Sequence, residues 1–183
     1  MWTTAPVRVD SSGKTLRVLT APSTDFWRVT HYGFIRDNGH FLPQTVQGDF
    51  LAEIEVRGAY RGQYDQAGLM LRLDETVWLK CGVEYVEGRQ HLSAVVTNGH
   101  SDWSVTPLAS FPASFRLRLQ RRGQTVEVQA ALSEDGQVFS AFQMLRLAWL
   151  PLPDTVQVGP MCASPDGQGF EVTFSGFRVS ALE

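Results

Sequence analysis

The sequence predicts an all-β fold, a sandwich or a barrel. Three observations carry that expectation. Apolar residues recur with a period of two, the runs are short and divided by turn residues, and no window of twelve residues holds a helical stripe, so helix is expected for a turn or two at most. Glycine and proline are spread along the chain rather than pooled in a linker, and there is no internal repeat. One domain over 1–183 is therefore expected, and a chain of this size buries roughly 70% of its unfolded surface.

Taken in order, Val7 and Val9 and then Leu16 and Val18 flank a turn at Ser11–Lys14. Ala52, Ile54 and Val56 alternate with Glu53, Glu55 and Arg57, which reads as an ordinary solvated face. Phe115, Leu117 and Leu119 alternate with Arg116, Arg118 and Gln120, and Val126, Val128 and Ala130 answer beyond a turn at Gly123. After the turn Ser133–Gly136, Leu145, Leu147 and Trp149 share one side, with Arg146 on the other. Val156 and Val158 precede a loop rich in Gly and Pro, and Phe170, Val172 and Phe174 close the pattern.

The stretch 65–97 fixes its own register. Glu87-Gly88 suits a two-residue hairpin loop, with glycine at a positive φ. It sets Glu84 opposite His91 and pairs Val83 with Leu92, Cys81 with Ala94 and Leu79 with Val96, all on one apolar face. A one-residue slip would destroy that agreement. A three-residue loop at Asp74-Glu75-Thr76 then adds Leu71, Leu69 and Ala67 to the same face. The opposite face carries four rows: Arg72, Trp78 and Thr97; Met70, Lys80 and Val95; Gly68, Gly82 and Ser93; Gln66, Glu84 and His91. Glycine inside a strand often marks close approach of a ligand or another backbone. Two readings follow for this face, a plain polar exterior or a ligand-binding surface. If it binds, residues 78 to 84 span about 20 Å, with a side-chain-free dip at Gly82. Substitutions on it, Gly82→Leu included, should leave the core intact and cost under roughly 1 kcal/mol.

Composition excludes several classes. The net charge is −3, with 43% hydrophobic and 19% charged residues, which excludes disorder and disfavours a nucleic-acid partner. No apolar run approaches the ~18 residues of a membrane span. The N-terminal MWTTAPVRVD lacks the apolar centre of a secretory signal. Cys81 and Cys162 make neither a disulfide framework nor a metal quartet, so two free thiols in a cytoplasmic setting are expected. His31, His40, His91 and His100 show no metal-ligand spacing, and no cofactor is expected.

The block DFWRVTHYGFIRDNGH (25–40), with YDQAGLMLRLDETVWLKCGVEYVEGRQHLSAVVTNGHSDWS (64–104), resembles the DUF1349 or "regulation of enolase" family. The resemblance runs from about Trp2 to Val179. It implies an all-β, two-sheet antiparallel β-sandwich, the concanavalin A-like jelly roll of many lectins and glucanases and of modules at the C-terminus of some β-xylosidases. It supplies no catalytic residues.

The function expected is therefore a non-catalytic module for a carbohydrate or sugar-derived metabolite. Trp78 would stack on the ligand, Lys80, Glu84 and His91 would fix its polar groups, and Gln66, Arg72 and Ser93 would complete the face. Trp27, His31 and Trp103 would form the rim, in or beside a segment where Tyr32 and Phe34 flank Gly33. A first rival is a glycoside hydrolase or lyase using Glu84 and His91 as acid and base. A second is a regulatory partner of a metabolic enzyme such as enolase. Asn98-Gly99 as a two-residue loop would aim Asp102 at the polar face, and a loop one residue longer would aim Trp103 there; the local pattern leaves both open.

Overall fold

Strands with alternate apolar residues pair until each inward face is covered. In the computed structural model, which describes residues 1–182, sixteen strands do so. They are β1 (Arg8–Ser12), β2 (Thr15–Leu19), β3 (Phe26–Arg28), β4 (Ile35–Asp37), β5 (His40–Phe41), β6 (Gln44–Gln47), β7 (Phe50–Gly58) and β8 (Gln66–Arg72). The second half holds β9 (Val77–Val86), β10 (Arg89–Asn98), β11 (His100–Pro107), β12 (Ser114–Arg122), β13 (Thr125–Ser133), β14 (Gln143–Trp149), β15 (Thr155–Ala163) and β16 (Glu171–Ala181). No helix occurs among the described residues.

One sheet runs β1-β2-β16-β7-β12-β13-β14. The facing sheet runs β11-β10-β9-β8-β15-β5, with β6 also paired to β15. Between them lies the principal core. Ala52, Ile54, Leu117, Leu119, Val128 and Phe174 come from the first sheet, and Leu69, Leu71, Leu79, Cys81, Val158 and Cys162 from the second. The result is a β-sandwich, one of the two architectures the alternation allows, and the jelly roll that the family resemblance implies.

The central hairpins have the expected registers. Glu84 lies opposite His91, Val83 opposite Leu92 and Cys81 opposite Ala94. On the other side, Leu71 meets Leu79 and Gly68 meets Gly82. Glu87 and Gly88 both take positive φ, 50° and 77°, as a type I′ turn requires. Asp74 closes the preceding turn by accepting from the backbone N–H of Thr76 and Val77. Both cysteines are free and buried, and burial pushes the Cys81 thiol up to about 12.

Three expectations are corrected. In β14, Leu147 and Trp149 are exposed, while Leu145 and Ala148 pack on the core. A bulge opposite Val128/Gln129 inserts Leu145 without a partner, so the period of two breaks there. The face of Glu53 and Glu55 is no loosely solvated surface: Arg118 and Arg178 clamp Glu53, and Arg57 and Arg116 clamp Glu55. Burial alone would raise both carboxyls, but hydrogen bonds from these arginines (and from Ser114 to Glu55) hold them below the usual range.

The third correction concerns the outer face of the second sheet. The β3–β4 ribbon lies across it, and Phe26, Trp27, Phe41 and Met161 pack with Met70, Trp78 and Val95 into a second apolar cluster. This sheet is therefore buried on both faces. Gly68 and Gly82 serve the pairing of β8 with β9: a Cβ on Gly68 would strike the carbonyl of Cys81, and one on Gly82 would strike that of Ala67. The space beside Gly82 is about 10 Å³, room for one water at most. It is no dip for a sugar ring.

His40 follows the ribbon, on β5 of the second sheet, and is fully buried. The Ala21 N–H donates to its Nε2 at 2.9 Å, so Nδ1 carries the proton and donates to the Thr4 carbonyl at 3.1 Å. Burial lowers its pKa, against a smaller opposing pull from the Thr4 carbonyl.

Two outcomes are expected. Gly82→Ala, at φ 155° and against a backbone carbonyl, lowers stability by more than the ~0.5 kcal/mol of a surface change in urea unfolding. Because the unfolded chain protonates His40 first, stability is constant just above pH 6.5 and falls as pH drops from there toward the lowered folded-state pKa. His40→Gln abolishes that slope in melts recorded between pH 7 and the onset of carboxylate titration.

Candidate functional site

The β3–β4 ribbon covers only part of the sheet, and a pocket of about 190 Å³ opens at its margin. Strand geometry sets the floor. Gln66 and Glu84 are cross-strand partners on β8 and β9, and Lys80 projects from the same side of β9 four residues earlier. Lys80 is 4% exposed. Its Nζ donates to Gln66 Oε1 at 2.6 Å, to the Phe26 carbonyl at 2.7 Å and more weakly to Asp25 Oδ1 at 3.4 Å. Gln66 Nε2 in turn donates to Asp25 Oδ1 and to the Tyr64 carbonyl.

Glu84 is 6% exposed. Its Oε2 accepts from Ser93 Oγ at 2.6 Å and from Trp103 Nε1 at 2.9 Å. Its Oε1 has no hydrogen-bond partner among the described residues and is not sealed from the pocket that Glu84 lines. The walls are aromatic: Trp27, Tyr32, Phe34, Tyr64 and Trp103, with Asp166 at the margin. Trp27 and Trp103 stand at 88° to each other, Tyr64 and Trp103 at 74°, and Trp27 and Tyr32 at 67°.

The loop that carries Tyr32 is conformationally unusual. Val29, His31 and Gly33 have φ of 63°, 65° and 73°. A β-branched residue in that region is strained, and such strain gathers at functional sites. Burial, together with Tyr64 and the carboxylates of Glu84 and Asp166, pushes the Tyr32 phenol above its ordinary pKa.

The sequence candidates divide. Gln66, Lys80 and Glu84 form the floor, Ser93 holds Glu84, and Trp27 and Trp103 are walls. His31 lines an adjoining recess with Trp27, Tyr32, Asp102 and Trp103. Trp103 faces the site because β10 and β11 turn through the longer loop, pairing Val95 with Trp103. Asp102 falls on the other face and pairs with Arg146 at 3.1 Å.

Three candidates lie elsewhere. Trp78 is 1% exposed, edge-on to Phe26, with its Nε1 on the Glu75 carbonyl. It is core, not a platform for a ligand. Arg72 clamps Asp37 of β4 with two bonds of 2.6 and 2.8 Å. His91 sits opposite Glu84 but its Nδ1 lies against the Arg89 carbonyl, so the acid–base pair does not form. Asp25, Tyr64 and Asp166 were missed. They come from loops outside any alternating pattern, and Tyr64, like Tyr32, counted only as part of a quoted block or loop.

Over residues 2–182 the chain matches the family model described as "Protein of unknown function (DUF1349)". The chain belongs to the DUF1349 family. A relative from Saccharomyces cerevisiae, "Regulation of enolase protein 1", is 38% identical over 180 residues, spanning 98% of this chain and 88% of that protein. The crystal structure of a functionally unknown protein from Saccharomyces cerevisiae superposes with a TM-score of 0.91 at 38% identity, covering 100% of this chain and 96% of that one. The DUF1349 fold also resembles part of a xylan β-1,4-xylosidase from Bacillus halodurans, with a TM-score of 0.68 at 16% identity, over 91% of this chain and 32% of the enzyme. Lectin I-B4 from Griffonia simplicifolia superposes at 0.57 with 13% identity, over 94% and 89% of the two chains. These last two likenesses are of fold.

Wall and core respond differently to truncation. Trp78→Ala costs about 3–5 kcal/mol, the usual range for a buried aromatic. Tyr32→Ala, at a side chain 48% exposed, costs under about 1 kcal/mol. Paired urea titrations check both values.

Proposed function

We propose that this DUF1349 protein is a non-catalytic binding module whose pocket takes one sugar ring or a sugar-derived metabolite of that size. One observation carries the reading: aromatic walls surround a floor of fixed polar groups, in a space of about 190 Å³. Aromatic faces suit the apolar faces of a sugar ring, and the carboxylates suit its hydroxyls. The volume lies below the ~300–1,000 Å³ of sites for larger ligands, which favours a single unit over an extended glycan along β9. The lectin and xylosidase likenesses supply a fold that accommodates such sites, nothing more specific.

Glu84 is the residue an enzyme would need. The expected acid–base partner His91 is turned away, which favours binding over hydrolysis or lyase chemistry. Two free thiols support the cytoplasmic setting included in this proposal.

A second reading, a regulatory contact with a metabolic enzyme such as enolase, is favoured by the yeast relative's name. Met144, Leu147 and Trp149 are exposed along the edge strand β14 and would supply an apolar contact surface.

Thermal shift and calorimetry with a panel of monosaccharides, sugar acids and short glycans test the proposal. The expected result is saturable binding of a single-ring compound, no tighter for longer chains, and no product release. Turnover of a polysaccharide that Glu84→Gln abolishes would overturn it in favour of the hydrolase. Co-purification with enolase, lost on Trp149→Ser, would favour the regulator.

A further inference from the structure

We infer that the pocket is an ammonium cage: the ligand it selects carries a protonated amine or quaternary nitrogen rather than being a neutral sugar. This deepens the reading above, with an amino sugar as the compound that satisfies both.

Charge comes first. Among the described residues the lining holds three carboxylates, Asp25, Glu84 and Asp166, and one ammonium, that of Lys80. Lys80 does not meet a ligand with a free donor. An ammonium has three N–H groups, and Gln66 Oε1, the Phe26 carbonyl and Asp25 Oδ1 are three acceptors within reach. Gln66 likewise spends both amide N–H groups on Asp25 and the Tyr64 carbonyl. Apart from the hydroxyls of Tyr32 and Tyr64, which donate or accept, what remains toward the cavity is acceptor capacity, above all Glu84 Oε1. That oxygen is unpartnered on a side chain more than nine-tenths buried. Open to the pocket rather than sealed, it can pair with a bound cation in a charge-assisted contact.

Shape comes second. Trp27, Trp103 and Tyr64 stand near-perpendicular in sequence, with centroids 6.3 and 6.2 Å apart, and Tyr32 closes the side against Trp27 at 5.6 Å. Rings set at steep angles wall the pocket on several sides, so a cation held within it lies against aromatic surface. A cation over such faces is attracted by the ring quadrupoles, most strongly where water is excluded. The raised pKa of the Tyr32 phenol, to which Glu84 and Asp166 contribute after burial and Tyr64, agrees with a negative local potential.

Calorimetric titration with four probes tests the inference: choline, its neutral isostere 3,3-dimethylbutan-1-ol, glucosamine and glucose. Choline and glucosamine are expected to bind roughly tenfold or more tightly than their neutral counterparts, on the scale of a desolvated cation–π contact joined to a carboxylate. Glu84→Gln should remove that margin. Tyr32→Ala, an exposed side chain whose loss leaves the core untouched, should weaken choline several-fold, with a two-dimensional amide spectrum verifying the fold of each variant. Equal binding of glucose and glucosamine overturns the cage and leaves the sugar-binding reading standing. Binding of choline with no binding of either sugar supports the cage and overturns that reading. Absence of binding by both cations overturns the cage.

Discussion

The ammonium of Lys80 joins two layers, the second sheet and the β3–β4 ribbon, whose apolar residues pack around it. It rises from the outer face of β9, reaches the carbonyl of Phe26 on β3 at 2.7 Å, and lies against Gln66 and Asp25. A buried charge of this kind is stable only while its acceptors surround it. The sheet can therefore keep Lys80 only with the ribbon in place, and the ribbon keeps its angle partly through Lys80. Arg72 on Asp37, the cross-strand partner of Phe26, holds the same end, and Ser101, which accepts from the Arg28 N–H, holds the other. The pocket is the gap this arrangement leaves, so its floor and one wall depend on a single set of bonds.

Covering the outer face makes the second sheet a layer between two apolar clusters. Gly68 and Gly82 allow β8 and β9 to approach within that layer, since a Cβ on either would meet a backbone carbonyl. Burial on both faces also explains why polar residues of β8 and β9 are so fully bonded. Glu84, Gln66 and Lys80 sit among aromatic rings, where an unmade hydrogen bond costs about 1–3 kcal/mol. The exception is Glu84 Oε1, and it lies where a ligand would.

The sandwich was legible because its alternation is local. Leu79, Cys81 and Val83 name one face of β9 in any register that keeps them together, and the Glu87-Gly88 turn fixes which strand they meet. The site was half legible. Trp78, Lys80 and Glu84 look equivalent in sequence, at even spacings on one face, yet Trp78 is core and Glu84 lines a cavity. What separates them is where a three-residue strand, Phe26–Arg28, comes to rest, a long-range event with no periodic signal. Asp25, Tyr64 and Asp166 reach the pocket from loops, whose paths follow from packing rather than from pattern. In β14 a single unpaired residue, Leu145, defeats the alternation that served elsewhere.

Amide hydrogen exchange on Lys80→Met tests the dependence of the ribbon on this lysine most directly. Methionine keeps the length and apolar stem but removes the ammonium. If Lys80 pins the ribbon, amides of Phe26–Asp37 lose protection by orders of magnitude, while β12 and β13 in the opposite sheet exchange as in the parent protein. Unchanged protection across Phe26–Asp37 in a folded Lys80→Met variant would contradict the account and assign the ribbon's position to Phe26 and Trp27 packing alone.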